Sequence, residues 1–207
     1  MTHRFAKALS LAATLHADQV RKISGVPYIA HLLSVSAAVL EAGGTEDQAI
    51  AALLHDAVED QGGLPTLHLI GQEFGGDVAS IVWACTDATE TPKPPWLERK
   101  KAHIAHIATC DADALLVIEC DKAHNAQATM SDWEAVGDAV WDRFTADHYG
   151  VVWYYSQMFR ALNARVSPVP GPSAPLERLG YLVGQMARTL TPGQYDDLLV
   201  GTDPVMP

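Results

Sequence analysis

A histidine and an aspartate stand side by side in an apolar stretch, within the segment ALLHDAVED at residues 52–60. Burying such a pair is costly unless partners compensate the polar groups. If the segment is one helix, His55 shares a face with Glu59, and Asp56 shares a face with Asp60. A divalent metal would relieve this crowding, because imidazole and carboxylate groups both bind metals. For the pair alone, a hydrogen-bonded core histidine beside a solvated acidic helix end is the alternative.

Two further segments carry side chains that suit the same ion. HADQVRKISGVPYIAH runs from His16 to His31, and ECDKAHNAQAT surrounds Asp121. Together with His55 and Asp56, they supply two imidazoles and two carboxylates from three predicted helical segments. Such a set suits an octahedral-type divalent ion with open positions for water and substrate. For His16 and the nearby Gln19, we expect structural hydrogen bonds rather than metal ligation.

Helix start and stop signals along the chain predict the elements that hold these residues. Apolar positions at three- and four-residue spacing predict helices over 4–19 and 28–42. Thr45 and Gln48 form a capping-box pattern, and the helix that follows is predicted to end at Gly62-Gly63. Further helices are predicted over 66–74, 76–86, 97–109, 112–129, 134–144 and 147–165. Since no sustained alternation or hairpin signal predicts strands, the predicted fold class is all-α.

A Pro-rich stretch at residues 167–175 predicts an extended linker near the C-terminus. The sequence therefore predicts one domain over 1–166, followed over 167–207 by this linker and a helical extension. One amphipathic helix is expected in the extension, with a tail after it. Its buried stripe is predicted to consist of Leu176, Leu179, Leu182, Val183 and Met186. The extension could dock on its own domain or on a second subunit, so homo-oligomerisation stays open.

Composition limits the classes of partner. The 207 residues are 48% hydrophobic, and no apolar run approaches the ~20 residues of a membrane-spanning helix, so no membrane association is expected. Three scattered cysteines without a CxxC pair favour a reducing compartment. The N-terminal stretch has no convincing cleavage region, so we expect no secretory signal and a cytoplasmic protein. The net charge of -11 argues against a nucleic-acid polymer but not against a small nucleotide.

The ordered motifs resemble the hydrolase domain of the RelA/SpoT-type alarmone enzymes, and specifically their stand-alone relatives, the small alarmone hydrolases. The resemblance covers about residues 4–162. Its motifs are H-x-x-Q-x-R-K-x-x-G-x-P-Y-I-x-H at 16–31, A-A-L-L-H-D-A-V-E-D at 51–60, F-G-x-x-V-A at 74–79, T-D at 86–87 with L-E-R-K at 97–100, D-K-x-H-N at 121–125, and R-F followed by W-Y-Y at 143–155. Several ordered motifs are far more specific than one histidine-aspartate pair.

The resemblance implies an HD-domain helical bundle with an additional C-terminal helix. It implies removal of 3′-pyrophosphate from (p)ppGpp, the alarmone of the stringent response, usually with Mn2+ although another divalent metal is possible. The implied metal ligands are His31, His55, Asp56 and Asp121. Glu59 and Asp60 are implied to activate or position the attacking water, because a carboxylate can take the proton of a water that the metal acidifies.

The resemblance also implies a set of substrate-contacting residues. The alternative for the same residues is that they are ordinary polar side chains exposed to solvent. These residues are Arg21, Lys22, Lys100, Asn125 and Arg143. The chain departs from the family at Gln61, at Glu119-Cys120 and at His148, so the substrate stays open. The first hypothesis is (p)ppGpp. The alternatives are another 2′- or 3′-phosphorylated nucleotide, such as NADPH, and a non-catalytic nucleotide-binding HD protein.

Overall fold

The computed structural model describes residues 1–21, 24–90, 92–166 and 171–206. Within these residues the chain forms eleven α-helices and two 3-10 segments, and its only β-structure is an isolated bridge between Val20 and Pro27. This confirms the predicted all-α class. The helices are α1 (His3–Leu15), α2 (Ile29–Glu41), α3 (Glu46–Leu54), α4 (Ala57–Asp60), α5 (Leu64–Phe74), α6 (Gly76–Cys85), α7 (Trp96–His106), α8 (Ala112–Val136), α9 (His148–Asn163), α10 (Ala174–Ala187) and α11 (Pro192–Val200).

The chain divides into two compact units, and the first comprises Met1–Pro94 and Thr109–Asp121. In this unit α3 packs against α1, α2 and α6, and its apolar residues are fully buried. The predicted capping box begins α3: Thr45 Oγ1 accepts from the Gln48 backbone N–H at 3.3 Å, and Gln48 Oε1 accepts from the Thr45 N–H at 2.7 Å. The first unit therefore surrounds α3 with helices that bury it.

The helix predicted to run on to Gly62 is interrupted at His55 and Asp56, so that prediction is wrong. Helix α3 ends at Leu54, and the short α4 begins at Ala57. At this interruption His55 Nδ1 lies 2.9 Å from the Ala52 carbonyl, the group that accepts the Asp56 N–H in a continuous helix, so a side-chain contact competes there with the helical hydrogen bond. The backbone of Asp56, at φ −95° and ψ −4°, lies in the bridge region that active-site residues often occupy.

The second unit comprises Pro95–Ala108 and Lys122–Pro207, and in it α9 packs against α7, α10 and α11. The separate helix predicted over 134–144 is wrong. Helix α8 continues to Val136 and gives way to the 3-10 segment Gly137–Arg143, where Gly137 has a φ of +65°. A left-handed glycine ends an α-helix readily because it has no Cβ to clash.

The C-terminal segment contains two helices rather than one helix and a tail. The five predicted stripe residues of α10 are all buried. Helix α11 begins with a second capping box, formed by Thr191 and Gln194, with Pro192 in its first turn. Of the predicted linker, residues 167–170 lie outside the described part of the chain, and α10 already begins at Ala174. The domain boundary at residue 166 stays a prediction.

No helix of the described residues has both the length and the apolar character that crossing a bilayer requires.

Candidate active site

Two histidines and two aspartates from separate elements converge in the first unit. His31 lies in α2, His55 and Asp56 form the break between α3 and α4, and Asp121 lies in α8. His55 Nε2 lies 3.0 Å from Asp56 Oδ2 and 3.4 Å from Asp121 Oδ1. His31 Nε2 lies 3.6 Å and 3.2 Å from the same two oxygens. Both histidine side chains are at most 1% exposed and that of Asp121 is 7% exposed, whereas that of Asp56 is 21% exposed, so the cluster reaches solvent at Asp56.

The orientation of His55 suits a cation. Its Nδ1 faces the Ala52 carbonyl, which can only accept a hydrogen bond, so Nδ1 carries the proton of the neutral ring. The lone pair of the neutral ring then lies on Nε2, which is buried 3.0 Å from Asp56 Oδ2, an atom that is itself an acceptor. Acceptor atoms crowded in this way need a positive charge between them. One atom each from His31, His55 and Asp56 lie within 4.8 Å of one another, so the donor set fits a divalent metal.

The charges of the cluster shift its pKa values in opposite directions. Burial lowers the pKa of His55, but the carboxylates of Asp56 and Asp121 outweigh it and hold the pKa well above the usual range. Burial raises the pKa of Asp56, while the charge of His55 and hydrogen bonds from His31 and His55 bring it well below its usual value. A proton on His55 therefore stabilises the same carboxylates that a bound metal would neutralise.

A tyrosine holds one of these carboxylates. The Tyr28 hydroxyl donates to Asp56 Oδ2 at 2.6 Å. Burial and then the charge of Asp56 raise the pKa of Tyr28, so its hydroxyl keeps its proton and stays a donor. Sequence reasoning missed this contact, although Tyr28 stands three residues before His31 and spacing of that kind places two side chains on one helix face.

The two acids of α4 have different partners. Glu59 Oε1 forms an ion pair with Lys93 Nζ at 2.6 Å, and Glu59 Oε2 accepts from the Asp87 backbone N–H at 3.3 Å. Asp60 Oδ2 accepts from Gln19 Nε2 at 2.8 Å. Burial and then the charge of Asp56 raise the pKa of Asp60, which the Gln19 hydrogen bond partly opposes. No sequence signal marked Lys93 as the partner of Glu59.

The predicted substrate contacts are distributed over both units. Arg21 lies in the first unit, with its guanidinium 5.9 Å from the centre of the Tyr28 ring, and Lys22 lies outside the described residues. Lys100, Asn125 and Arg143 belong to the second unit, where Lys100 Nζ lies 4.7 Å from the centre of the Tyr154 ring. Their roles stay predictions.

The fold is all-α, and it brings together two histidines and two aspartates, of which His55 and Asp56 are adjacent in sequence. These features define the class of HD-domain proteins. The family model described as the HD domain matches residues 8–151. The chain therefore belongs to the HD-domain family.

Two similar proteins are named for the hydrolysis of guanosine-3′,5′-bis(diphosphate). The chain is 34% identical over 136 residues to a guanosine-3′,5′-bis(diphosphate) 3′-pyrophosphohydrolase of Danio rerio, covering 62% of this chain and 73% of that protein. The enzyme of the same name from Drosophila melanogaster is 32% identical over 151 residues, covering 72% and 79%. A solved structure of a metazoan orthologue of SpoT that hydrolyses ppGpp has a TM-score of 0.69 and 27% identity, over 89% of this chain and 96% of that one. The predicted resemblance is thereby confirmed.

Proposed function

We propose that this protein hydrolyses the 3′-pyrophosphate of (p)ppGpp, releasing GDP or GTP and pyrophosphate, with a divalent metal held by His31, His55, Asp56 and Asp121. The observation that carries the proposal is the convergence of these four side chains, with imidazole nitrogens 3.0–3.6 Å from carboxylate oxygens. The relatives named for this reaction support the choice of substrate. We further propose Mn2+ as the metal and the cytoplasm as the location.

The reaction replaces one phosphorus-oxygen bond by another. The oxygen of a water bonds to the phosphorus next to the 3′ oxygen, the bond to that oxygen breaks, and the 3′ oxygen leaves as a hydroxyl after gaining a proton. When bound, the metal supplies Lewis-acid stabilisation of the phosphoryl charge and lowers the pKa of the attacking water. Glu59 and Asp60, the two acids of α4, then accept the proton of the water and position the water for attack.

The different surroundings of the two acids support different roles. A carboxylate with a raised pKa is the better proton acceptor, and the pKa of Asp60 is raised, so we assign proton transfer to Asp60. Glu59 has both oxygens engaged, by Lys93 and by the Asp87 N–H, so it is held in one orientation. We assign Glu59 the role of positioning the water.

Binding of a polyanionic nucleotide by a chain of net charge -11 requires local cations. We propose Arg21, Lys22, Lys100 and Arg143 as phosphate contacts and Asn125 as a hydrogen-bonding contact to the nucleotide. Guanidinium and ammonium groups pair with phosphate oxygens through charge-assisted hydrogen bonds. The departures from the family at Gln61 and His148 keep a different 2′- or 3′-phosphorylated nucleotide as the competing substrate.

A product assay on a small nucleotide panel tests this proposal. Metal-loaded protein is incubated with ppGpp, pppGpp and NADPH, and pyrophosphate release is measured separately from phosphate release. We expect pyrophosphate from both guanosine substrates, and a loss of at least about 100-fold in Asp56→Ala and in Asp60→Asn, which removes the proposed proton acceptor. The exposed His68→Asn serves as the control variant. Hydrolysis of NADPH without hydrolysis of ppGpp would contradict the substrate assignment, and nucleotide binding without turnover would indicate a non-catalytic protein.

A further inference from the structure

A turn separates α1 from α2, and hydrogen bonds join the described residues at its two ends, 19–21 and 26–28. The Tyr28 N–H donates to the Gln19 carbonyl at 2.9 Å, and the Arg21 N–H donates to the Val26 carbonyl at 2.8 Å. The bridge between Val20 and Pro27 lies between these two bonds. We call Gln19 and Tyr28 the turn base, because the hydrogen bond between them closes the turn.

Both members of the turn base reach the candidate active site. The Gln19 side chain donates to Asp60 Oδ2 at 2.8 Å, and the Tyr28 hydroxyl donates to Asp56 Oδ2 at 2.6 Å. Two carboxylates four residues apart are therefore held by two residues that are bonded to each other through the backbone. A shift of the turn would move both donors together.

The orientation of the Gln19 amide is set by two other donors. Gln19 Oε1 lies 2.6 Å from His16 Nδ1 and accepts from Gln61 Nε2 at 2.7 Å. The amide oxygen can only accept, so His16 must donate from Nδ1. With its oxygen engaged twice, Gln19 presents its NH₂ group to the Asp60 carboxylate. The reversed amide would place oxygen against oxygen.

The Tyr28 ring is equally constrained. It stacks on the buried ring of His16 at a centroid distance of 5.5 Å and meets the ring of His31 edge-on at 5.4 Å. Two ring contacts therefore hold the Tyr28 ring while its hydroxyl donates to Asp56.

We propose that Gln19 and Tyr28 are positioning residues with separate tasks: Tyr28 orients Asp56 for metal binding, and Gln19 orients Asp60 for the proton transfer. The inference rests on the proposed function, because it takes the metal and water roles from there. Hydrogen bonds to ligand and catalytic carboxylates fix their orientation, and their loss commonly costs 10- to 100-fold in metal affinity or activity. Since Arg21 follows Gln19 by two residues, the same turn couples a proposed substrate contact to both acids.

Two near-isosteric variants separate these tasks. Tyr28→Phe removes only the hydroxyl, and Gln19→Met removes only the amide. For Tyr28→Phe we expect the Kd of metal-free protein for Mn2+, measured by calorimetric titration, to rise by about 10- to 100-fold. For Gln19→Met we expect a Kd for Mn2+ within about twofold of wild type, with kcat for ppGpp lowered by about 10- to 100-fold and KM little changed.

Controls and a second variant keep the test decisive. Tyr195→Phe and Gln72→Met change an exposed tyrosine and an exposed glutamine in the same way and should leave both quantities unchanged. Gln61→Met removes one of the two donors to Gln19 Oε1 and should lower kcat in the same direction but less.

The wild-type protein separates failure of this inference from failure of the proposed function. If wild type neither binds Mn2+ nor hydrolyses ppGpp, the proposed function fails. If wild type does both, the inference is overturned when Tyr28→Phe binds Mn2+ as wild type does, or when both Gln19→Met and Gln61→Met retain full kcat. It is equally overturned if the variants lower the Tm and change Kd and kcat together, because a purely structural role predicts no division between them.

Discussion

Replacing Asp121 by asparagine should remove most of the stabilisation that a divalent metal gives this protein. Asp121 Oδ1 lies 3.2 Å and 3.4 Å from the two imidazole nitrogens, and its side chain is only 7% exposed. The Asp121→Asn substitution keeps the shape of the side chain and removes its negative charge. One of the four proposed ligands is thereby weakened without leaving a cavity.

The expected magnitude follows from linkage between metal binding and folding. A free metal concentration of 100 times Kd stabilises the wild-type fold by about 2.7 kcal/mol. For a chain of 207 residues this corresponds to a Tm increase of about 5–10 °C. If the variant binds about 100-fold more weakly, the same metal concentration contributes about 0.4 kcal/mol and about 1 °C.

Thermal unfolding with Mn2+ or with a chelator measures both quantities. Asp111→Asn is the matched control, because Asp111 is exposed just before α8 and asparagine is an equally good helix N-cap residue. The control should show the wild-type Tm increase. A wild-type protein whose Tm is indifferent to metal, or an Asp121→Asn variant with the full increase, would refute the reasoning.

Three further predictions follow from the first unit. In metal-free protein the raised pKa of His55 contributes stability that is present below about pH 6.5 and is lost as the pH rises through the raised value. The affinity for Mn2+ should instead rise with pH, because the metal displaces that proton. Unfolding and metal titration across about pH 6–9 check both signs, and stability and affinity that change in the same direction would contradict them. Gly62→Ala should destabilise the fold by about 1–3 kcal/mol, because the φ of Gly62 is +115° and the new Cβ would lie 2.7 Å from Thr66 Oγ1. Gly76→Ala is the control and should change the Tm little, because a Cβ added there meets no atom within 4 Å. Burial and then the charge of Glu119 raise the pKa of Cys120 to about 12, so a thiol reagent at pH 8 should label this residue only after denaturation; rapid labelling of the native protein would argue against the burial.

Elements with strong local signals could be predicted from the sequence, and elements shaped by competing hydrogen bonds could not. The capping box of Thr45 and Gln48 specified the start of α3, and the structure contains it. The break at His55 was missed because a side-chain contact to a backbone carbonyl has no signature in hydrophobic periodicity. Helix α11 was missed although Thr191, Pro192 and Gln194 carry a helix-start signal.

The candidate site was anticipated in part. Segments separated by up to 90 positions supplied His31, His55, Asp56 and Asp121, and the structure brings their side chains together. The donors that orient the acids were not anticipated as such, since their role depends on the turn that brings Gln19 and Tyr28 side by side. Long-range hydrogen bonds of this kind depend on tertiary packing, which residue spacing alone does not encode.

The most direct test of the metal centre is a crystal structure of Mn2+-loaded protein with anomalous diffraction data. We expect one strong anomalous peak within about 2–2.5 Å of the imidazole nitrogens of His31 and His55 and of carboxylate oxygens of Asp56 and Asp121. A Mn2+-loaded crystal without a peak between these four residues, or with the ion bound by a different set of side chains, would contradict the account.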